Sequence, residues 1–195
     1  MRVLVVDVGG THVKVLLVPP GPPGDAPPLK LDSGPGVEPH NLGAGWVDFD
    51  YEAAFGRPVR LINDAAMQAL GSYEGGRMLF LGLGTGLGSA LVVDGVVQPL
   101  ELAHLPYRHG RTFEDYVGIA GLERLGQKRW RKRVGDVVER LCAALQADYV
   151  VLGGGNVKKL DALPAGARRG ENANAFVGGR RLWEMPEFPR AAEAA

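Results

Sequence analysis

Cysteine is nearly absent, charge of neither sign is in excess, and no hydrophobic run is long. The single Cys142 excludes an internal disulfide framework and, with no clustered thiols, a cysteine-rich zinc site. A reducing cytoplasm fits that composition. Lys plus Arg and Asp plus Glu both total 22, so the formal charge is zero and gives no global case for nucleic acid or an anionic membrane. Any anion must be met locally. The apolar N-terminal run is broken by Asp7 too early for a signal peptide, and no segment reaches membrane-spanning length. The expectation is a soluble cytoplasmic protein without a membrane partner. What is present is 195 residues, 46% of them apolar, enough for a genuine core in one ordinary domain or two small lobes.

The first element is an apolar β-branched run that ends in Asp7, turns on Gly9-Gly10-Thr11 and resumes from Val13 to Val18, which reads as a hairpin. Its turn offers unobstructed backbone N–H groups, a hydroxyl and a carboxylate, a combination suited to phosphate beside hydrated Mg²⁺. Pro19 to Gly45 holds eight of the 14 prolines and reads as loop or linker. Tyr51 to Phe55 reads as a short helix and Val59 to Ile62 as a strand. Asn63-Asp64 then opens a helix to Gly71, and on its own this pair is a helix cap. Met78–Leu83, Ser89–Val93 and Val96-Val97 form a meander whose first connection is Gly84-Thr85-Gly86-Leu87-Gly88. Leu100 to Tyr107 reads as irregular, and Thr112 as the cap of a helix carrying Glu114 and Asp115. Val134, Val137, Val138, Leu141 and Leu145 share one face of a helix from about Arg133 to Ala147. The preceding basic run, Lys128 to Arg133, reads as a solvated helix start with Trp130 half buried, or alternatively as a track for inorganic polyphosphate. Tyr149 to Leu152 is an apolar strand that ends in Gly153-Gly154-Gly155-Asn156 and a helix start. Pro164 to Asn174 reads as polar loop, and the end after Pro189 as frayed.

One glycine turn is weak evidence, but three at strand ends are harder to dismiss. Asp-x-Gly-Gly-Thr at 7–11, the run from Leu81 to Ala90 and Leu152-Gly153-Gly154-Gly155 together resemble the two phosphate motifs and the adenosine motif of the ROK family (repressors, open reading frames and kinases), in the actin, Hsp70 and sugar-kinase superfamily. Lys14, Asn63-Asp64-Ala65 and Glu101-Leu102-Ala103-His104 resemble the polyphosphate/ATP-dependent glucokinases within it. The match runs through residues 2–18 and roughly 40–179.

The resemblance implies an α/β, actin-like ATPase (ribonuclease H-like) two-lobed fold with a shortened N-terminal lobe. Residues 1–60 would be that lobe, with the Pro/Gly-rich linker at 19–45, and residues 61–195 the C-terminal lobe. It implies that Asp64 is the general base, since phosphoryl transfer leaves one proton to remove. Asn63, Glu101, His104 and Glu114 match hexose-binding positions, although Glu101-x-x-His104 alone would read as a solvated loop. Gly9, Gly10, Thr11, Gly84, Thr85, Gly86, Gly153, Gly154 and Gly155 match the nucleotide-facing turns. Asp7 would position Mg²⁺ through water, and Lys14 would approach the phosphate. The zinc knuckle of many members needs cysteines where this chain reads Leu105 to Arg111, so no zinc is expected.

The family's strand, helix and strand ahead of the Asn-Asp segment shrink here to the proline-rich stretch, with Ser33-Gly34-Pro35-Gly36 as a remnant of one pocket wall. Two readings follow. The first is transfer of phosphate from ATP or polyphosphate to a hexose, glucose foremost. The second is a non-catalytic sugar- or nucleotide-binding relative with an incomplete pocket. A lost strand would also leave a sheet edge that a second copy could cover as a homodimer. A DNA-binding regulator has little support, because no helix-turn-helix precedes Met1.

Overall fold

The computed structural model describes residues 2–8, 12–19, 27–32 and 50–185. The Gly9-Gly10-Thr11 turn, the Ser33–Gly36 remnant and the alanine-rich end lie outside them. The chain divides into two compact units, Met1–Ile62 with Gly179–Ala195, and Asn63–Gly178.

In the first unit, β1 (Val3–Val8) pairs antiparallel with β2 (His12–Val18), which pairs antiparallel with β3 (Leu29–Asp32). The hairpin forms as the two apolar β-branched runs on either side of the glycine motif suggest. The stretch read wholly as linker contains β3, because Leu29 to Asp32 falls between its proline clusters and has N–H groups for a ladder. Side chains alternate across a strand, so Val3, Val5 and Val18 lie buried while Leu4, Val6, Leu17 and Leu29 stand exposed on the other face. Leu182 is also buried in this unit, and Gly179 sits against Val5 more closely than a Cβ would allow. A short helix α1 (Tyr51–Phe55) is capped by Asp50, whose carboxylate accepts from Ala53 N–H at 2.8 Å. Val59 to Ile62 joins no sheet, contrary to its strand pattern. Arg60 instead bonds the carbonyls of Leu182 and Met185 and stacks over Trp183, 4.8 Å from the ring centre.

The second unit is a five-stranded mixed sheet in the order β10-β9-β4-β5-β6. Its strands are β4 (Arg77–Leu83), β5 (Leu87–Val93), β6 (Val96–Leu100), β9 (Tyr149–Gly153) and β10 (Ala167–Arg169). The first three form an antiparallel meander, whereas β4, β9 and β10 run parallel. Helix α2 (Asp64–Ser72) packs on β4 and β5. Three helices, α3 (Glu114–Val117), α4 (Ile119–Leu125) and α5 (Gln127–Leu145), join Leu79, Leu81, Leu83, Val150 and Leu152 in the main core. Burial on both faces explains why β4 reads as a continuous apolar run rather than an alternating one. Between β6 and α3 a small hairpin, β7 (Pro106–Arg108) and β8 (Arg111–Thr112), occupies the stretch read as irregular.

Helix α5 begins at Gln127, ahead of the expected Arg133, and Trp130 is fully buried, not half buried. Its position fits the stripe four residues before Val134, and its Nε1–H donates to Val117 O at 2.8 Å. The polar stretch from Pro164 also holds β10, and α6 (Asn174–Arg181) follows it. Gly71 of α2 and Gly178 of α6 lie where any side chain would strike backbone, so the two helices meet at glycines.

Candidate functional site

Two of the three glycine turns lie side by side because of strand order. Gly82 of β4 registers with Gly153 of the parallel β9, so Gly84–Gly86 and Gly153–Gly155 leave the carboxyl ends of neighbouring strands. In open α/β sheets this is where ligands bind. Gly154 has φ of 86° and rests against the Leu83 backbone, leaving no room for a side chain.

Asn63 caps α2, its Oδ1 accepting from Ala65 N–H at 2.9 Å and Ala66 N–H at 3.3 Å. Asp64, the first residue of α2, therefore is not required as the cap and stands exposed, with Oδ1 accepting from Ala65 N–H at 2.7 Å. Gly88 lies against this helix start, since a Cβ there would be 2.9 Å from Ala65 Cβ. The start of β5 and the first turn of α2 are thus in contact.

Glu114 reaches the same turn from α3, its Oε2 accepting from Leu87 N–H at 3.0 Å. The loop before it is tied in as well. Glu114 N–H donates to Ala103 O at 3.0 Å, and Ser89 Oγ accepts from Leu102 N–H at 3.2 Å while donating to Leu100 O. Glu101 and His104 stand on that loop with side chains 70% and 71% exposed and an Oε1 to Nδ1 separation of 3.9 Å. Both are free to meet a ligand. Thr112 and Asp115 exchange the reciprocal bonds of a capping box at 2.8 and 3.3 Å, which sets the start of α3. Those bonds from Thr112 hold the Asp115 carboxyl below its ordinary value of 3.8.

In the first unit, Asp7 shares the buried face with Val3 and Val5 and is only 9% exposed. It faces Lys14 across the β1–β2 register, with Nζ and Oδ2 3.0 Å apart. A single carboxylate already balanced by a lysine fits a Mg²⁺ that substrate phosphates and water chiefly hold, not an all-protein cage. Among the described residues no three His, Cys, Asp or Glu side chains cluster around a metal-sized space, and no helix is long and apolar enough to cross a membrane.

Sequence reasoning missed Asn156. It is 8% exposed, and its Nδ2 donates to Gly84 O at 2.9 Å. Its place directly after three glycines was the available signal, but it resembled only a helix start; the structure continues there as one 3₁₀ turn, Val157–Lys159.

No protein-family model and no curated protein matches the chain. Solved structures do. The inorganic polyphosphate/ATP-glucomannokinase from Arthrobacter sp. strain KM superposes with a TM-score of 0.78 at 20% identity, over 95% of this chain and 99% of its own. A ROK family glucokinase from Streptomyces griseus, solved with glucose and AMPPNP, gives 0.70 at 14% over 93% and 99%. A ROK family protein from Streptococcus pneumoniae TIGR4, solved with sucrose, gives 0.69 at 12% over 94% and 98%. The mixed sheet with helices on it therefore has the α/β, actin-like ATPase fold seen in these ROK sugar kinases.

Proposed function

We propose that the chain is a sugar kinase that moves a phosphoryl group from ATP or inorganic polyphosphate to a hexose, with glucose the first candidate. The observation that carries this reading is the pair of glycine turns at the ends of β4 and β9, with the Asp64-bearing helix start packed against Gly88 of the strand that follows the first of them. The solved relatives named for glucomannokinase and glucokinase activity share the fold and support the same class.

In this reading Asp64 takes the proton from the acceptor hydroxyl. That oxygen bonds to the terminal phosphorus as the bond from phosphorus to the bridging oxygen breaks, releasing ADP or a shortened polyphosphate. Asn63 keeps its Nδ2 for a neighbouring hydroxyl, because Oδ1 is committed to the cap. Glu101, His104 and Glu114 receive the other hydroxyls. Lys14 approaches the phosphates, whose remaining charge is met by backbone N–H groups of the turns at Gly9–Thr11, Gly84–Gly86 and Gly153–Gly155. Mg²⁺, placed by Asp7 through water, would supply charge neutralisation on the phosphoryl oxygens. Lys128, Arg129 and Lys132 stand exposed on α5 and could meet a polyphosphate chain, whereas Arg131 is committed to Lys159 O and Asp161. A cytoplasmic location suits these substrates.

The non-catalytic alternative draws on one observation, the three-stranded sheet of the first unit with one apolar face exposed. A coupled assay of a hexose panel with each donor separates the two. Asp64→Asn is expected to lower kcat by about 10²–10⁴-fold with folding intact. A wild-type protein that transfers no phosphate to any hexose overturns the kinase reading.

A further inference from the structure

A phosphate cradle made of backbone N–H groups works only if those groups point in fixed directions, and glycines have no side chains with which to fix themselves. The turn after β4 is fixed from outside, by three elements. Asn156, beyond β9, donates Nδ2 to Gly84 O and its backbone N–H to Leu83 O, both at 2.9 Å. Ile119 N–H, at the start of α4, donates to Thr85 O at 3.0 Å. Glu114 Oε2, from α3, accepts from Leu87 N–H. The fit is close on each side: a Cβ on Gly86 would run into the Glu114 carboxylate, and one on Gly118 would lie 2.8 Å from Thr85 O.

We propose that Glu114 and Asn156 are positioning residues that set the shape of the Gly84–Leu87 turn, Asn156 from the third glycine turn and Glu114 from the hexose side. The inference rests on the kinase reading for its consequence, since it makes Glu114 bifunctional. Its Oε2 is committed to the turn, while Oε1 makes no hydrogen bond to another described residue and remains for a sugar hydroxyl. A hexose held by Glu114 would then steady the same carboxylate that braces the donor turn. Sugar occupancy and donor affinity become coupled.

Glutamine and alanine at position 114 separate the two duties. Glu114→Gln keeps an oxygen that can accept from Leu87 N–H but loses the charge, so it is expected to raise the hexose KM about tenfold while leaving the donor KM within about twofold. Glu114→Ala should raise both. Asn156→Ala, and the isosteric Asn156→Asp that replaces the donor with an acceptor, should raise the donor KM about tenfold with little change in the hexose KM. A readout without turnover accompanies these: hydrogen exchange of the peptide spanning Gly84 to Leu87 in the unliganded protein. It should quicken about tenfold in Glu114→Ala and in the Asn156 variants but not in Glu114→Gln. Unchanged exchange in Glu114→Ala and Asn156→Asp overturns the proposal, as does an equal donor-KM shift in the two Glu114 variants. If the wild type transfers no phosphate, the kinase reading fails and the exchange pattern alone decides the positioning roles.

Discussion

Tyr107 and Asp136 bias each other toward opposite protonation states. The Tyr107 hydroxyl donates to Asp136 Oδ2, and Arg140 Nε bonds Oδ1 at 3.1 Å. The tyrosine's hydrogen bond is the largest cause that holds the Asp136 carboxyl below its ordinary 3.8, with burial opposing and Arg140 assisting. Tyr107 moves the other way, raised above 10.0 first by burial and then by the same bond. A depressed carboxylate contributes stability that is present above its unfolded value and lost as pH falls through its folded one. Tyr107→Phe should therefore lower Tm at neutral pH, and the gap from wild type should shrink at an acid pH below the folded value of Asp136, where its carboxyl is protonated in both states. Calorimetry at the two pH values checks this, and an undiminished gap in acid would rule out the ionised pair as its cause. The Asp115 shift acts in the same acid window, so the wild type loses stability there through both carboxyls.

At the scale of elements, what could be read from the chain followed local pattern. The β1–β2 hairpin, the β4–β6 meander and the capped start of α2 each announce themselves through apolar β-branched runs, glycine turns or an Asn at the cap. The start of α5 did not, because Lys128 to Arg133 was read for its charge, while Trp130 inside that run belongs to the apolar stripe of Val134, Val137 and Leu141. Val59 to Ile62 has the composition of a strand but no ladder to join, and Arg60 holds it by side-chain bonds to carbonyls 122 and 125 residues away. Helix α6 was hidden by Gly178 and Gly179, which look like loop and serve close packing. Of the candidate site, the glycines and acids were legible as motifs. That Asn156 reaches the turn after β4 depends on the β4–β9 register, and that Glu114 reaches it depends on how α3 packs, neither of which a local pattern encodes. The buried indole gives this scale its test. Trp130→Phe leaves Val117 O without its donor and is expected to cost about 1–3 kcal/mol, and Trp130→Ala about 3–5 kcal/mol, both read from urea unfolding. A Phe variant as stable as wild type would show that water satisfies the carbonyl and that the bond adds little.

For the whole molecule, burial is distributed unequally between the two units. The large apolar cluster, from Leu79 to Leu160, belongs entirely to the second unit, in which β4 is covered on both faces. The described sheet of the first unit has three strands, β1 and β3 at its edges, and Leu4, Val6, Leu17 and Leu29 exposed on one side. A small sheet covered on one face gains less from burial per hydrogen bond than a central strand buried on both. Amides of β1 and β2 should therefore exchange at least tenfold faster than those of β4 and β9, opening below the global transition. The homodimer expected from an open sheet edge makes a further demand on the same measurement, with β1 as the edge strand to follow. A second copy that covers the edge and the apolar face protects by mass action, so exchange in β1 should slow as protein concentration rises, while β4 and β9 stay unchanged. Light scattering over the same concentrations should then show the mass doubling. Concentration-independent exchange in β1 at a constant monomer mass would remove the dimer and leave the three strands to stand on their own burial.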